Sequence, residues 1–360
     1  MKSTKNRFFL LFAALFLALT LACWFHSPRA ESLTERRKLA QKPELTLKSF
    51  TGGSFASSFE SYSQDQFPLR EGFRTLKALF QTKVLGRQDN NNIYVKDGWL
   101  AQLEYPENLS SADQAASRFQ QVYDRYLSGS NRVYLSVIPD KGYFLEGIPK
   151  MDHGAFVSRL REKTPFAAYI DLFPTLTLDS YYRTDTHWRQ EAILPAAQAL
   201  AKAMGKEIGS GFTVADTGIS FKGVYAGQSA LPVSGESMYY VTSPTLSAAT
   251  VWDGEQGKAI GVYDFDRLTG RDPYEFYLSG SLSLVTLRNE KAAGKDRLIL
   301  FRDSFGSSIA PYFLDCYQEV TLVDIRYIPV NRLGRLLDFE NADVLFLYST
   351  LVLNHSETLK

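Results

Sequence analysis

The chain has 360 residues, with 40 Lys and Arg against 39 Asp and Glu, 45% hydrophobic and 22% charged residues, and two cysteines. That length suits two domains or one large domain with insertions, and near-neutral charge excludes a basic field for nucleic acid. Ordinary hydrophobicity excludes wholesale disorder, and two distant cysteines, Cys23 and Cys316, exclude a disulfide scaffold.

Residues 1–30 carry Lys2, Lys5, Arg7 and Arg29 and no acid, so the remaining 36 bases face 39 acids. Residues 8–25 are an uncharged run of 18 with one Thr. As a helix rising about 1.5 Å per residue it reaches roughly 27 Å, close to the hydrocarbon thickness of a bilayer. Cations on both sides read as a targeting segment. Three outcomes stay open: an uncleaved signal anchor, a signal peptide cleaved near Pro28-Arg29-Ala30, or lipidation at Cys23 after Leu21-Ala22. The anchor is favoured, because Arg29 suits cleavage poorly and Thr20 stands where a lipobox usually has Leu. All three place the chain from about residue 31 outside the cytoplasm, with 31–60 as a stalk.

Further along, 45–59 reads as irregular, with Gly52-Gly53 and several Ser, and Phe73, Leu76, Leu79 and Phe80 recur at helical spacing. Asn90-Asn91-Asn92 marks a turn, and Asp97-Gly98 between two short apolar runs predicts a hairpin over 93–103. An alternation follows: a helix over 110–127 capped by Ser or Asp, a continuous apolar strand at 133–138, a helix over 153–162, a strand at 169–172 and a helix over 190–204. Residues 205–290 are richer in Gly, Ser, Thr and Tyr and alternate like antiparallel strands at 218–225 and 238–241. Strands resume at 297–301, 319–323 and 343–348. Continuous apolar strands between helices predict an α/β fold with a central parallel sheet covered on both faces, interrupted by a β-rich insertion at 205–290.

Four histidines are present: His26, His153, His187 and His355. His26 borders the apolar run, His153 opens a predicted helix, and His355 lies among polar residues. His187 stands in Tyr181-Tyr182-Arg183-Thr184-Asp185-Thr186-His187-Trp188, two residues after Asp185. In an extended or turning segment these side chains share a face, so the carboxylate can orient the imidazole as a general base. The competing reading is an Asp capping a helix beside a packed His. A second segment, Leu298-Ile299-Leu300-Phe301-Arg302-Asp303-Ser304-Phe305-Gly306, runs from a buried strand into a polar turn. Ser304 then sits at the strand's carboxyl end, either as a nucleophile or as a helix cap. Backbone N–H groups of Ser304 and Gly306 would face a developing oxyanion. Together the segments supply nucleophile, base and orienter. Neither a metal-ligand spacing nor a phosphate or dinucleotide fingerprint competes. Clusters such as Tyr181-Tyr182 and Tyr274-Glu275-Phe276-Tyr277 fit either sugar stacking or core.

The Thr184-Asp185-Thr186-His187-Trp188 block resembles the hallmark of the DHHW family and of the related alginate O-acetyltransferases, and Arg302-Asp303-Ser304-Phe305 resembles the Gly-Asp-Ser block of SGNH hydrolases. Weaker similarities are Asp65-Gln66-Phe67-Pro68-Leu69-Arg70, 93–100, Pro139-Asp140-Lys141 and 272–280. The resemblance implies an SGNH-like three-layer fold with motifs in circularly permuted order, split into 61–204 and 291–360 around the insertion. It assigns Ser304 as nucleophile, His187 as base and Asp185 as orienter, with no cofactor. Oxyanion or substrate candidates are Gly306, Asn354, Arg302, Trp188 and Tyr182. Arg302 replaces the usual Gly and would narrow the site or bind an anionic glycan; Asn354 is the candidate for the family's oxyanion Asn, or a turn residue. The implied activity is O-acetyl transfer or ester hydrolysis on a surface glycan or exopolysaccharide, served by a membrane O-acyltransferase donor. The alternative is a catalytically silent glycan-binding or scaffold subunit of the same machinery.

Overall fold

In the computed structural model, residues 2–292 and 294–360 are described. The chain divides into two units: residues up to Asn91 with Ala226–Pro232, and Asn92–Tyr225 with Val233–Lys360.

In the first unit, α1 spans Lys2–Phe25 and leaves Phe8, Phe9, Leu11, Phe12 and Phe16 exposed. Among the described residues, no helix is long and apolar enough to cross a membrane. A two-residue hairpin pairs Glu31–Ser32 with Arg37–Lys38. Three helices follow, α2 (Leu47–Thr51), α3 (Ser54–Asp65) and α4 (Arg70–Leu79). The expectation of irregular chain over 45–59 is therefore corrected. Thr46 and Ser49 form a capping box that starts α2, and Gly53 takes φ 76° to begin α3. Asp65 accepts from Arg37 at 2.8 and 2.5 Å and from the Ala40 N–H at 2.8 Å. Gln66 accepts from the Arg29 N–H and donates to the Arg29 and Ala40 carbonyls. These bonds tie residues 29–40 to the end of α3.

The second unit is built on an eight-stranded sheet. Its hairpin, β1 (Ile93–Lys96) and β2 (Trp99–Gln102), turns through Asp97 and Gly98 at φ 49° and 83°, as the Asp-Gly pair predicts. Then come α5 (Leu109–Tyr126), β3 (Val133–Ile138), α6 (His153–Lys163), β4 (Ala168–Asp171) and α7 (Leu194–Ala203). The cap of α5 is Asn108, not the expected Ser or Asp. Helix α7 starts later than residue 190 because Pro195 suits its first turn. The 205–290 segment gives a hairpin of β5 (Thr213–Phe221) and β6 (Glu236–Thr242), then β7 (Thr250–Asp253), β8 (Lys258–Ile260) and β9 (Leu284–Arg288). The chain closes with β10 (Arg297–Arg302), α8 (Gly306–Ile309), β11 (Glu319–Val323), β12 (Ala342–Ser349) and α9 (Thr350–Leu353).

The sheet order is β8-β7-β9-β11-β10-β12-β3-β4. Strands β11, β10, β12, β3 and β4 are parallel, and β9, β7 and β8 add an antiparallel edge. Three strands of the 205–290 segment thus extend the central sheet. Along β10, Leu298 and Leu300 pack on one face with Ala196, Ala197 and Leu200 of α7, while Ile299 and Phe301 pack on the other with α5 residues Ala115, Phe119 and Val122. Alternation at period two with both faces buried explains why these strands read as unbroken apolar runs. All six residues of β3 and all eight of β12 are buried.

Candidate active site

Three adjacent parallel strands, β10, β12 and β3, end on the same side, where an open α/β sheet exposes its carboxyl ends. The turn after β10 is set by Asp303. One carboxylate oxygen accepts from the Phe305 N–H at 3.0 Å, and the other takes both the N–H and the hydroxyl of Ser349 at 2.7 Å. This bridge fixes Ser304 between buried neighbours, with Ser304 itself partly exposed.

The second motif is a tight ribbon. Tyr181 pairs with Trp188, the Tyr182 N–H donates to the His187 carbonyl at 3.1 Å, and the Arg189 N–H donates to the Ser180 carbonyl at 2.8 Å. Asp185, Thr186 and His187 lie at its tip. Asp185 Oδ1 stands 2.6 Å from His187 Nδ1 and also accepts the His187 N–H at 3.1 Å. Its Oδ2 accepts the Val224 N–H at 2.8 Å. His187 Nε2 lies 2.7 Å from Ser304 Oγ. Because an ionised carboxylate only accepts, Nδ1 carries the proton, leaving the Nε2 lone pair to accept from the Ser304 hydroxyl. Two segments 117 residues apart therefore converge on one hydrogen-bonded chain: carboxylate, imidazole, hydroxyl.

Residues outside both motifs hold that chain. The Tyr274 ring stacks on His187 at 3.8 Å between centroids and 7° between planes, and Phe305 closes the imidazole at 5.0 Å. Tyr274 is fixed in turn by its hydroxyl, 2.8 Å from Ser308 Oγ. A Cβ on Gly223 would fall 2.2 Å from the Asp185 Cβ, so only glycine lets that backbone pass. Lys141, after β3, donates to the carbonyls of Tyr182, Arg183 and Asp185 at 2.7, 3.0 and 2.6 Å. Glu236 accepts from the N–H groups of Arg183 and Thr184 and from the Thr184 hydroxyl, each at 3.0 Å. None of Tyr274, Gly223, Val224, Lys141 and Glu236 was legible as a site residue, because each acts through a ring face, a backbone group or a packing gap. Lys141 left a trace in the Pro139-Asp140-Lys141 similarity, and Tyr274 in the 272–280 similarity and in an aromatic cluster that fitted sugar stacking or core.

The other expected substrate and oxyanion residues lie elsewhere or are committed. Arg302 is fully buried, donates to the carbonyls of Leu282 and Asp303, and faces Asp324 at 3.6 Å, so it cannot reach a glycan. Burial also pushes its pKa down from the usual arginine value. The Gly306 N–H donates to the Asp303 carbonyl at 3.1 Å, and a Cβ there would meet the Arg302 side chain at 2.6 Å; Gly306 is a packing glycine. The α8 helix it opens has one turn only, too short for an appreciable dipole. Asn354 caps α9 and is buried, accepting the Asn108 N–H at 2.7 Å and donating to Glu104 at 3.0 Å, which assigns it to anchoring that loop. Trp188 is buried with its indole N–H shared between the Phe305 carbonyl and Ser308 Oγ. Tyr182 is buried with its hydroxyl near that of Tyr277. The aromatic clusters at 181–182 and 274–277 are core, and within the second Tyr274 also stacks on the His187 ring. The Ser304 N–H, by contrast, has no acceptor among the described residues.

A cavity of about 500 Å³ opens beside Thr184, lined among others by Arg183, Arg189, Glu236 and Tyr239.

The fold recurs in solved structures. A DHHW family protein from Eubacterium siraeum superposes with a TM-score of 0.61 at 20% identity, covering 75% of this chain and 94% of that one. The fold is one it shares with a DHHW family protein. PatB1 of Bacillus cereus matches with a TM-score of 0.58 at 19% identity over 72% of this chain and 96% of its own. A second PatB1 structure, bearing a sulfonyl adduct, matches at 0.57 and 18% over 72% of this chain and 95% of its own. No family model matches the chain, and no curated protein matches it by sequence.

Proposed function

We propose that this chain is a serine-dependent O-acyltransferase or esterase of SGNH-like design, acting on O-acetyl groups of a cell-surface or exported polysaccharide. The observation that carries the reading is the 2.7 Å approach of Ser304 Oγ to His187 Nε2, with Asp185 at 2.6 Å from Nδ1. Such a chain makes an otherwise weak hydroxyl nucleophilic. The sulfonyl adduct on PatB1, a protein of like fold, is in keeping with a nucleophile in this scaffold.

In the proposed cycle, Ser304 Oγ attacks the acyl carbonyl as its proton moves to His187 Nε2. Asp185 stabilises the imidazolium, and the Ser304 N–H donates to the oxyanion. His187 then returns the proton to the leaving oxygen, which departs from an acyl-Ser304 intermediate. A sugar hydroxyl or water, deprotonated by His187, attacks that ester, and its proton returns to Ser304 Oγ. The reading includes the permuted order, with the Asp-x-His motif before the serine, and the 205–290 segment as an insertion. It also includes attachment to a membrane through the apolar N-terminus, an extracytoplasmic catalytic unit, and an acyl donor exported by a membrane O-acyltransferase. Its rival is the silent glycan-binding or scaffold subunit, favoured by one feature: of the candidate oxyanion donors, the Gly306 N–H and Asn354 are committed, and the Ser304 N–H is the one without an acceptor among the described residues.

Hydrolysis of 4-nitrophenyl acetate by the full chain separates the two. The reading predicts activity in the wild type and a loss of about 10³-fold or more in Ser304→Ala and in His187→Ala. Activity equal in all three proteins contradicts the assignment of these residues, and none in any of them favours the silent subunit.

A further inference from the structure

Lys141 is the only buried lysine among the described residues, 2% exposed, and the acyl-transfer cycle moves no proton through it. An ammonium has three N–H bonds and no lone pair. Here each finds one carbonyl, and the three carbonyls belong to Tyr182, Arg183 and Asp185, the run that leads to the tip of the ribbon. The ring of Tyr225 lies 5.0 Å from the same nitrogen and that of Trp99 5.9 Å, with the Arg183 guanidinium over Trp99 as well. The Asp185 carboxylate is pinned independently by the Val224 N–H. Lys141 thus fixes the backbone of the same residue whose side chain orients His187.

We infer that Lys141, as an ammonium, is the positioning residue that holds the Asp185–His187 turn against Ser304. The inference rests on the serine-dependent reading above. A neutral amine would keep two N–H bonds and turn a lone pair on the third carbonyl, so deprotonation removes one tether and adds a repulsion. The groups that act on Lys141 oppose one another. Burial, the largest effect, pulls its pKa down to about 7, while the carboxylates of Asp185, Glu236 and Asp140 raise it. The charged state therefore changes within the working range of an enzyme. Reactivity of Ser304 should fall as Lys141 loses its proton.

The test is the rate at which phenylmethanesulfonyl fluoride modifies Ser304 in the full chain, followed by mass spectrometry across pH 5–10 with reagent hydrolysis subtracted. Wild type, Lys141→Met, Lys141→Arg, Ser304→Ala and His187→Ala are compared. Expected are a wild-type profile with an alkaline falling limb above about pH 7, a loss on the order of 10²-fold in Lys141→Met at pH 6–7 with no such limb, and partial rescue without the limb in Lys141→Arg, whose guanidinium does not titrate there. If the variants fail to fold, the wild-type profile decides, because a rate that climbs to pH 10 overturns the inference. Equal rates in wild type and folded Lys141→Met do the same while leaving the serine reading intact. Modification that persists in Ser304→Ala, or is absent in wild type, overturns the serine reading and this inference with it.

Discussion

Asp185 is held at three points: its carboxylate by Val224, its backbone carbonyl by Lys141, and its Cα and Cβ by the bare backbone of Gly223. An amide in its place can offer its oxygen or its NH2 to Nδ1 but no longer favours the imidazolium. Asp185→Asn is therefore expected to lower turnover of 4-nitrophenyl acetate by about 10³-fold while leaving the melting temperature near that of wild type. Gly223→Ala acts by displacement: its Cβ would overlap Asp185, so turnover should fall at least tenfold, and wild-type turnover in a folded variant would show that the contact does not position the carboxylate. At this scale the sequence carried the proposed reacting groups and little of their support. Asp185 and His187 were legible because residues two apart in a turn share a face, and Ser304 because a polar apex follows a buried strand. Gly223 left no signal, and Tyr274 was visible only as part of an aromatic cluster, since a missing methyl and a ring stacked on His187 have no spacing rule. Arg302 misled for a related reason: an arginine beside a nucleophile suggests a ligand, whereas burial with Asp324 makes it core.

The elements read best were those buried on both faces. β3 and β11 lie where continuous apolar runs placed them, and β10 and β12 extend one to two residues further. Helices α2 and α3 were missed because a Ser-rich, Gly-Gly segment has weak propensity, and caps at Thr46 and Gly53 override it. The link that matters most for the site joins β10 to β12: Asp303 satisfies the Phe305 N–H and both donors of Ser349. Replacing Asp303 by Ala leaves buried donors unpaired and should cost about 2–4 kcal/mol, read as a lower urea midpoint, together with loss of esterase activity. A midpoint within about 0.5 kcal/mol of wild type would show that the bridge is dispensable.

At the scale of the molecule, the first unit carries a test of its own. The Arg37 hydrogen bonds, helped by the Ala40 N–H, hold the Asp65 pKa down to about 2 against an ordinary 3.8. A carboxylate depressed on folding contributes stability above its ordinary pKa and loses it as pH falls from about 4 to 2. Amide exchange over residues 29–65 should therefore accelerate between pH 4 and pH 2 beyond the intrinsic trend, and Asp65→Asn should reduce that dependence, leaving the share of Glu35, whose pKa is also lowered, burial being outweighed by the neighbouring arginines. The proposed attachment through the apolar N-terminus makes a separate prediction: deleting residues 2–25 moves the protein from the membrane to the soluble fraction with esterase turnover unchanged, whereas retention in the membrane contradicts it. The proposed chemistry requires Ser304 to carry the acyl group. The most direct measurement is rapid-quench mass spectrometry of the full chain with 4-nitrophenyl acetate. The account predicts one acetyl mass on the peptide containing Ser304, formed before steady state and absent in His187→Ala; turnover with that peptide unmodified, or acetyl on another residue, would contradict it.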